Sequence, residues 1–441
     1  DSGKSFLPTN SGFSGRFANA IVADRETPNR IYSATINTAT GGGFLFASND
    51  NGQTWKPSMR NMPTRLITYS ILQDTQDANI IYLGTNLGVY RSVDRGVSWA
   101  PVWAATSPSP EPKKKSTRKK AVRTAATALP QSGKARQRDD TILRAQEILS
   151  RAGYRIGVPD GKAGRQTLIA LKRFQADRSL PLTGKFDQIT LAALGLAKTD
   201  DSAAATESGS LILTEAINAL AHTMDPVSMK AGILAATNVG LYRSFDPTKG
   251  WHKLPYSGEF DQRTTCISTN LRLPEVIWAG TAASGVLVSS DGGKTWSQAD
   301  GLPDNAPVNT IAQDPQRPDH VYVGTKQAFY ASHDGGKNWS RRGGDLPFGD
   351  FTSILINPRN GDEIFVGNAY QNGGNGGGVY RTLNAGKTWA RIDPTEHRLP
   401  SQRIWSLAFD GQDQNTLFVG SHSAGVYVVP RRGDSLAAGS Q

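Results

Sequence analysis

The side chains best spaced for chemistry are carboxylates, each set between a hydroxyl and a glycine. Ser48-Asn49-Asp50-Asn51-Gly52-Gln53-Thr54-Trp55 reads S-x-D-x-G-x-T-W. The pattern returns at Ser92, Asp94, Gly96 and Trp99, at Ser289, Asp291, Gly293 and Trp296, and at Ser332, Asp334, Gly336 and Trp339. Two further copies are altered. Thr382 and Asn384 replace Ser and Asp ahead of Gly386 and Trp389, while Ser244, Asp246 and Trp251 stay in place around a glycine displaced to Gly250. A hydroxyl and a carboxylate this close could hold calcium or a ligand. They could equally satisfy each other and the local backbone, with glycine supplying a positive φ and tryptophan a ring to bury beneath the turn. The second reading is favoured, because each copy lies between two alternating apolar runs, as a hairpin corner does.

Those runs define the elements that position the turns. Ala18-Asn19-Ala20-Ile21-Val22, Arg30-Ile31-Tyr32-Ser33-Ala34 and Gly43-Phe44-Leu45-Phe46-Ala47 read as three strands, and Trp55 opens a fourth. Trp55 and Trp99 stand 44 residues apart, and Trp296, Trp339 and Trp389 follow Trp251 at steps of 45, 43 and 50. A repeat of this period is one supersecondary unit used many times. The step from Trp99 to Trp251 is 152, so a separate segment interrupts the array. The last repeat, from Ile404, stops after three strands, and Ser5-Phe6-Leu7-Pro8-Thr9 offers the missing fourth. The fold class expected is mainly β, a seven-bladed β-propeller with a small three-helix domain inserted between blades two and three.

The repeats resemble the Asp-box, or BNR, propellers of sialidases, sortilin-type receptors, xyloglucan hydrolases and photosystem-assembly factors. The resemblance is nearer to the sortilin and assembly-factor class than to the glycosidases. It implies that the boxes are structural turns on the propeller rim. The sialidase signature is not matched: Arg272-Leu273-Pro274 and Arg398-Leu399-Pro400 read as repeat-linked turns, since Leu-Pro recurs at Leu302-Pro303 and Leu346-Pro347. Xyloglucan hydrolases of this class place a carboxylate on each of two facing propellers, and one ring alone cannot build that cleft. No catalytic residue, metal site or cofactor motif is nominated, so an enzyme is the less favoured reading; if one, it is a glycoside hydrolase.

The inserted segment has two parts. Residues 103–139 carry Lys113, Lys114, Lys115, Arg118, Lys119, Lys120 and Arg123 among Pro, Ser and Ala, which reads as a basic, solvated linker. Contact with an anionic polymer is the alternative for that run. From residue 140 the apolar period becomes helical, with Ile142, Ala145, Leu149 and Ala152 on one stripe, and Leu168, Leu171 and Phe174 on a second helix. Asp187 is placed to cap a third. Gln146, Gly153-Tyr154, Asp160-Gly161, Gly164, Thr167, Phe174-Gln175, Leu180-Pro181, Thr183-Gly184 and Thr190 resemble the peptidoglycan-binding domain appended to cell-wall amidases. The resemblance implies glycan or stem-peptide binding near Tyr154, Asp160, Gly161 and Gln175.

Composition bounds the rest. Of 441 residues one is cysteine, Cys266, so neither an internal disulfide nor a cysteine-based metal site can form. The net charge of +11 sits largely in the linker. No apolar run approaches the ~18 residues of a membrane span. The chain starts at Asp1 rather than Met, compatible with a removed export signal. The domains expected are 1–102 (two blades and the closing strand), 103–139 (linker), 140–196 (helical domain), 197–209 (linker), 210–433 (five blades) and 434–441 (tail). The role expected is non-catalytic: a periplasmic or extracellular bacterial protein tethered to peptidoglycan, its propeller binding a protein or glycan and no nucleic acid. A wall-targeted glycoside hydrolase and an assembly scaffold that binds no sugar are the alternatives. Arg432-Gly433-Asp434 reads as chance, and 372–378 as a flexible glycine-rich connection.

Overall fold

The computed structural model describes residues 7–8, 11–12, 17–37, 42–63, 65–102, 140–151, 154–177, 184–186, 188–194, 196, 212–256, 260–341, 346–370, 376–392, 399, 401–411 and 416–430. Several sequence features therefore fall outside the described residues: the basic run of 103–139, the linker 197–209, Asp187, Arg398, Pro400, residues 372–375 and the tail with Arg432-Gly433-Asp434. The chain divides into two compact units, Asp1–Val102 with Glu207–Gln441, and Trp103–Thr206.

The first unit holds seven four-stranded antiparallel sheets, the blades of a propeller. Blade 1 runs Phe17–Ala23, Ile31–Asn37, Gly42–Ser48 and Lys56–Pro57, and blade 2 Thr68–Gln73, Ile81–Thr85, Gly88–Ser92 and Ala100–Pro101. Blades 3 to 6 begin at Ile217–Met224, Thr264–Thr269, Val308–Gln313 and Phe351–Ile356. Blade 7 takes Ile404–Phe409, Thr416–Ser421 and Gly425–Pro430 from the end of the chain and Leu7–Pro8 from its beginning, with Leu7 opposite Val428 and Pro8 opposite Tyr427. The first strands of successive blades pack side by side, and Phe17–Ala23 lies against Ile404–Phe409, which closes the ring.

Because both faces of a blade meet a neighbour, the cores lie between blades. Tyr322, Phe329, Phe351 and Trp389 join blades 5 and 6. Ala18, Phe46 and Trp55 join Phe418 and Val426 across the chain termini. The second strands are mostly buried, wholly so in Ile81–Thr85 and Val321–Thr325, so they read as continuous apolar runs rather than alternations.

Each first strand carries one extra residue against its partner, a β-bulge, at the same place in all seven blades. The bulge turns a side chain sideways to the next blade. Asn19 donates to Thr68 O at 2.7 Å, Asn218 to Thr264 O at 2.8 Å, Thr265 to Val308 O at 2.6 Å, Asn309 to Phe351 O at 3.2 Å and Thr352 to Ile404 O at 2.5 Å. In blade 7 the hydroxyl of Ser406, the residue after the bulge, donates to Ala18 O at 2.8 Å. Opposite the bulge the second strand approaches the neighbour closely: a Cβ on Gly420 would lie 2.6 Å from Ala18 O.

The second unit contains α1 (Asp140–Arg151), α2 (Arg165–Asp177) and α3 (Gln188–Ala193). Ala145, Leu149, Ile156, Ala170, Leu171, Phe174 and Leu194 form its apolar interior.

Asn309 also donates to Asp350 Oδ1 at 2.6 Å. Asn309→Ala is expected to remove both inter-blade bonds and cost about 1–3 kcal/mol. A lower denaturant midpoint of unfolding with an unchanged slope checks this.

Candidate functional site

The repeated turns satisfy themselves. The Ser48 hydroxyl donates to Asp50 Oδ1 at 2.7 Å and accepts the Gly52 N–H at 2.8 Å. Asp50 Oδ1 also takes the Thr54 N–H at 2.8 Å, and Oδ2 takes the Thr54 hydroxyl. The same bonds recur at Ser92, Asp94 and Ser98, at Ser289, Asp291 and Thr295, and at Ser332, Asp334 and Asn338. The altered copy keeps them too: Thr382 accepts the Gly386 N–H at 3.0 Å, and Asn384 Oδ1 accepts the Thr388 N–H at 2.9 Å. Trp296, Trp339 and Trp389 donate their indole N–H to the turn glycine's carbonyl at 3.1–3.3 Å. Both oxygens of each carboxylate are engaged. Bonds from the Asn338 backbone and side chain hold Asp334 down at about 2, and the Thr295 hydroxyl and N–H lower Asp291 likewise. Among the described residues no group of three His, Cys, Asp or Glu side chains could hold a metal.

The turns also lock one blade onto the one before. Gly96 has φ +81° and sits against the Tyr32 ring, where a Cβ would be 2.9 Å from Cε1. The Tyr32 hydroxyl and the Arg30 guanidinium donate to Arg95 O at 2.8 and 2.9 Å. Arg95 reaches back to Glu26 at 3.0 Å. Gly336 presses on Trp278 in the same way.

The third turn departs from this plan. Ser244 donates to Gly250 O at 2.6 Å instead of to Asp246. Asp246 Oδ1 accepts the Thr248 N–H and hydroxyl, at 3.1 and 2.6 Å, and Oδ2 meets Lys249 at 3.1 Å. Trp251 is still buried. Tyr82 is the counterpart of Tyr32 by strand register, and the glycine of the turn that follows it is displaced to Gly250. A cavity of about 350 Å³ opens there between blades 2 and 3, lined by Asp74, Tyr82, Arg91, His222, Lys230 and Asp246 among others. Burial lowers the pKa of His222 despite the nearby Asp74, so its imidazole is neutral at pH 7. Burial raises the Tyr82 phenol, with Arg91 opposing. The composition of this cavity was not legible as a motif. Its one trace in the sequence is the glycine displaced to Gly250.

In the helical unit, two glutamines hold the loops. Gln146, 1% exposed, accepts the N–H groups of Asp160 and Gly161 at 3.0 and 2.8 Å and donates to Lys162 O and the Thr167 hydroxyl at 3.0 Å. Gln175, 0% exposed, accepts the Gly184 N–H at 2.8 Å and donates to Lys185 O and the Thr190 hydroxyl at 3.2 and 2.9 Å. The same clip is thus built twice. Of the four residues assigned to binding here, Gln175 and Gly161 are buried. Asp160 is exposed, its carboxyl lowered chiefly by the bond from Gln146, and Tyr154 is half-buried with its hydroxyl on Asp177 at 3.0 Å.

Fold and site together define a seven-bladed β-propeller carrying a peptidoglycan-binding-type domain. Residues 138–194 match the family described as "Putative peptidoglycan binding domain", and residues 231–431 match the "DUF6242 beta propeller domain". Over 101 residues the chain is 34% identical to xyloglucanase Xgh74A of Acetivibrio thermocellus, which covers 20% of this chain and 12% of that protein. The match thus spans a small part of that relative's length. The GH74 xyloglucanase of Xanthomonas campestris shares the fold with a TM-score of 0.56 and 15% identity, over 98% of this chain and 54% of that one. YCF48 from Cyanidioschyzon merolae gives 0.50 and 12%, over 96% and 98%.

Because Asp334 is lowered on folding from 3.8 to about 2, its contribution to stability is complete above about pH 4 and is lost as the pH falls towards 2. Asp334→Asn installs the residue found at Asn384. The wild-type melting temperature is expected to fall more steeply than the variant's between about pH 4 and 2, measured by thermal scans in matched buffers.

Proposed function

We propose that this is a non-catalytic protein of the bacterial envelope, periplasmic or extracellular, in which the helical domain tethers the chain to peptidoglycan while the propeller binds a protein or glycan partner. The observation that carries this reading is the family match over 138–194, which takes in all three helices. We read the repeated turns as Asp boxes of the sortilin and assembly-factor type, with carboxylates spent on the fold rather than on a substrate. In the tether, Tyr154 and Asp160 are the accessible contacts, and Gln146 and Gln175 hold the loops behind them. Among the described residues no helix is long and apolar enough to cross a membrane.

One observation favours a second reading, a glycoside hydrolase. The chain resembles a xyloglucanase over 101 residues, and Asp74 and Asp246 line the same cavity. Two carboxylates across a cleft are the usual glycosidase machinery.

Purified peptidoglycan is expected to pellet the full chain and to leave a variant lacking residues 103–209 in the supernatant. Equal pelleting of both would remove the tether. Release of reducing sugar from xyloglucan or peptidoglycan, abolished in Asp74→Asn and Asp246→Asn, would establish the hydrolase instead.

A further inference from the structure

We propose that the cavity between blades 2 and 3 is a binding site for a small zwitterion, an ammonium and a carboxylate on one short carbon frame, as in a free α-amino acid or a side chain that ends in one. This goes beyond the reading above and does not depend on the wall tether, since every lining residue belongs to the propeller.

The cavity comes from a specific departure. At the other boundaries described above, a turn glycine seals the aromatic ring of the preceding blade. Here the turn has rebuilt itself around Ser244 and Gly250, and Tyr82 and Arg91 are left facing the gap. Arg91 is the decisive side chain. Its counterparts in other blades are engaged: Arg381 pairs with Glu363 at 2.6 Å, and Arg243 donates to Gly292 O at 2.8 Å. Arg91 has no ion pair among the described residues, and its Nε is buried without a hydrogen-bond partner. A guanidinium so placed suits a carboxylate, which it can hold through two parallel bonds.

The opposite charge is present as well. Asp74 Oδ1 takes the N–H groups of Gln76 and Asp77 at 2.8 and 3.1 Å, which leaves Oδ2 for a ligand donor. Asp246 lines the same cavity from blade 3. Asp246 is already held by Thr248 and Lys249, so the free oxygen of Asp74, with the neutral imidazole beside it, is the group that suits an ammonium. The aromatic rings argue against a sugar as the occupant. Arg91 lies 6.0 Å from the Tyr82 centroid, and Lys230 and Arg243 lie 5.7 and 5.2 Å from that of Phe245, so cations already occupy the faces on which a pyranose would stack. The volume, about 350 Å³, sits at the lower end of the range for small-ligand sites, roughly 300–1,000 Å³.

The fold supplies its own controls. Asn270 and Asn357 stand where Asp74 stands and make the same turn bond, to Arg272 and Arg359 N–H at 2.9 Å, so Asp74→Asn keeps the loop. Ala47, Val288 and Ala331 stand where Arg91 stands, so Arg91→Met keeps the sheet. Calorimetric titration of the full chain with L-alanine and with meso-diaminopimelate is expected to show saturable binding of at least one. A ligand that binds should also raise the melting temperature, more so the tighter it binds. Arg91→Met and Asp74→Asn should each weaken binding at least tenfold with the ligand-free melting temperature unmoved. Putrescine, with ammonium groups alone, and acetate, with a carboxylate alone, should bind at least tenfold more weakly. Absence of both heat and thermal shift with the amino acids, equal binding by the two variants, or saturable binding of N-acetylglucosamine in their place would overturn the proposal. Peptidoglycan pelleting is read separately, so failure of this site and failure of the tether give different results.

Discussion

One hydrogen bond, passed from blade to blade, sets the geometry on which the rest of the propeller depends. A propeller has no central core; its apolar interiors are the sandwiches between adjacent sheets. Sandwiches of this kind can slide or rotate unless something directional fixes them. In blades 1, 3, 4, 5 and 6 the bulged residue of the first strand provides that fix, and in blade 7 the next residue, Ser406, does. The bulged side chain leaves the sheet sideways and donates to the first carbonyl of the neighbouring strand, as Asn19 does to Thr68 and Thr352 to Ile404. The donor is conformationally constrained by the bulge and the acceptor is a backbone atom, so the bond specifies the angle and height of the next blade at once. The close approach at Gly420 depends on the same alignment.

The seven sheets and the inserted helices were legible because their signals are local. A turn that needs Ser, Asp, Gly and Trp within eight residues writes itself into the sequence, and counting copies counts blades. The bulges were not legible. Their position is defined by register against a partner strand, and Asn19, Tyr69, Asn218, Thr265, Asn309, Thr352 and Trp405 have no one side-chain type common to all seven. The Thr382-Asn384 copy looked degraded because letters changed, although a threonine hydroxyl and an amide oxygen accept the same N–H groups. Gln175 read as a polar binding residue. Its burial follows from a loop that needs an amide to satisfy Gly184 N–H, a demand visible only when the loop is seen in space. The parallel order Gln146, Gly161, Thr167 and Gln175, Gly184, Thr190 is the trace that a search for internal duplication would use.

The cavity shows how a repeat acquires individuality. Six copies of one turn make interchangeable joints, and an interchangeable joint cannot recognise anything in particular. Displacing one glycine relaxes a single joint while leaving Trp251 buried beneath it. The side chains left facing the gap were inherited from the repeat: an aromatic on the second strand, a residue across from it on the third, and the carboxylate that opens the loop. What is particular to this joint is that the cross-strand arginine, Arg91, has no ion pair among the described residues and keeps an unpartnered Nε, where Arg381 has Glu363. A functional site arises here from subtraction within a regular scaffold, with local order given up where chemistry is placed.

The pairing of Leu7–Pro8 with Gly425–Pro430 has a consequence for how the molecule is made. The two halves of that ladder are 421 residues apart, with Leu7 opposite Val428. Every other ladder joins strands that follow one another in the chain. This ladder can therefore form only after the segment that carries Gly425–Pro430 has been made, and bringing such distant strands together costs about 5 kcal/mol of chain entropy. Until then blade 7 presents a raw edge at Gly425–Pro430, open to the first strand of another copy as readily as to its own. The seam gives the ring its closure, and it is also the place where two chains made side by side could trade ends.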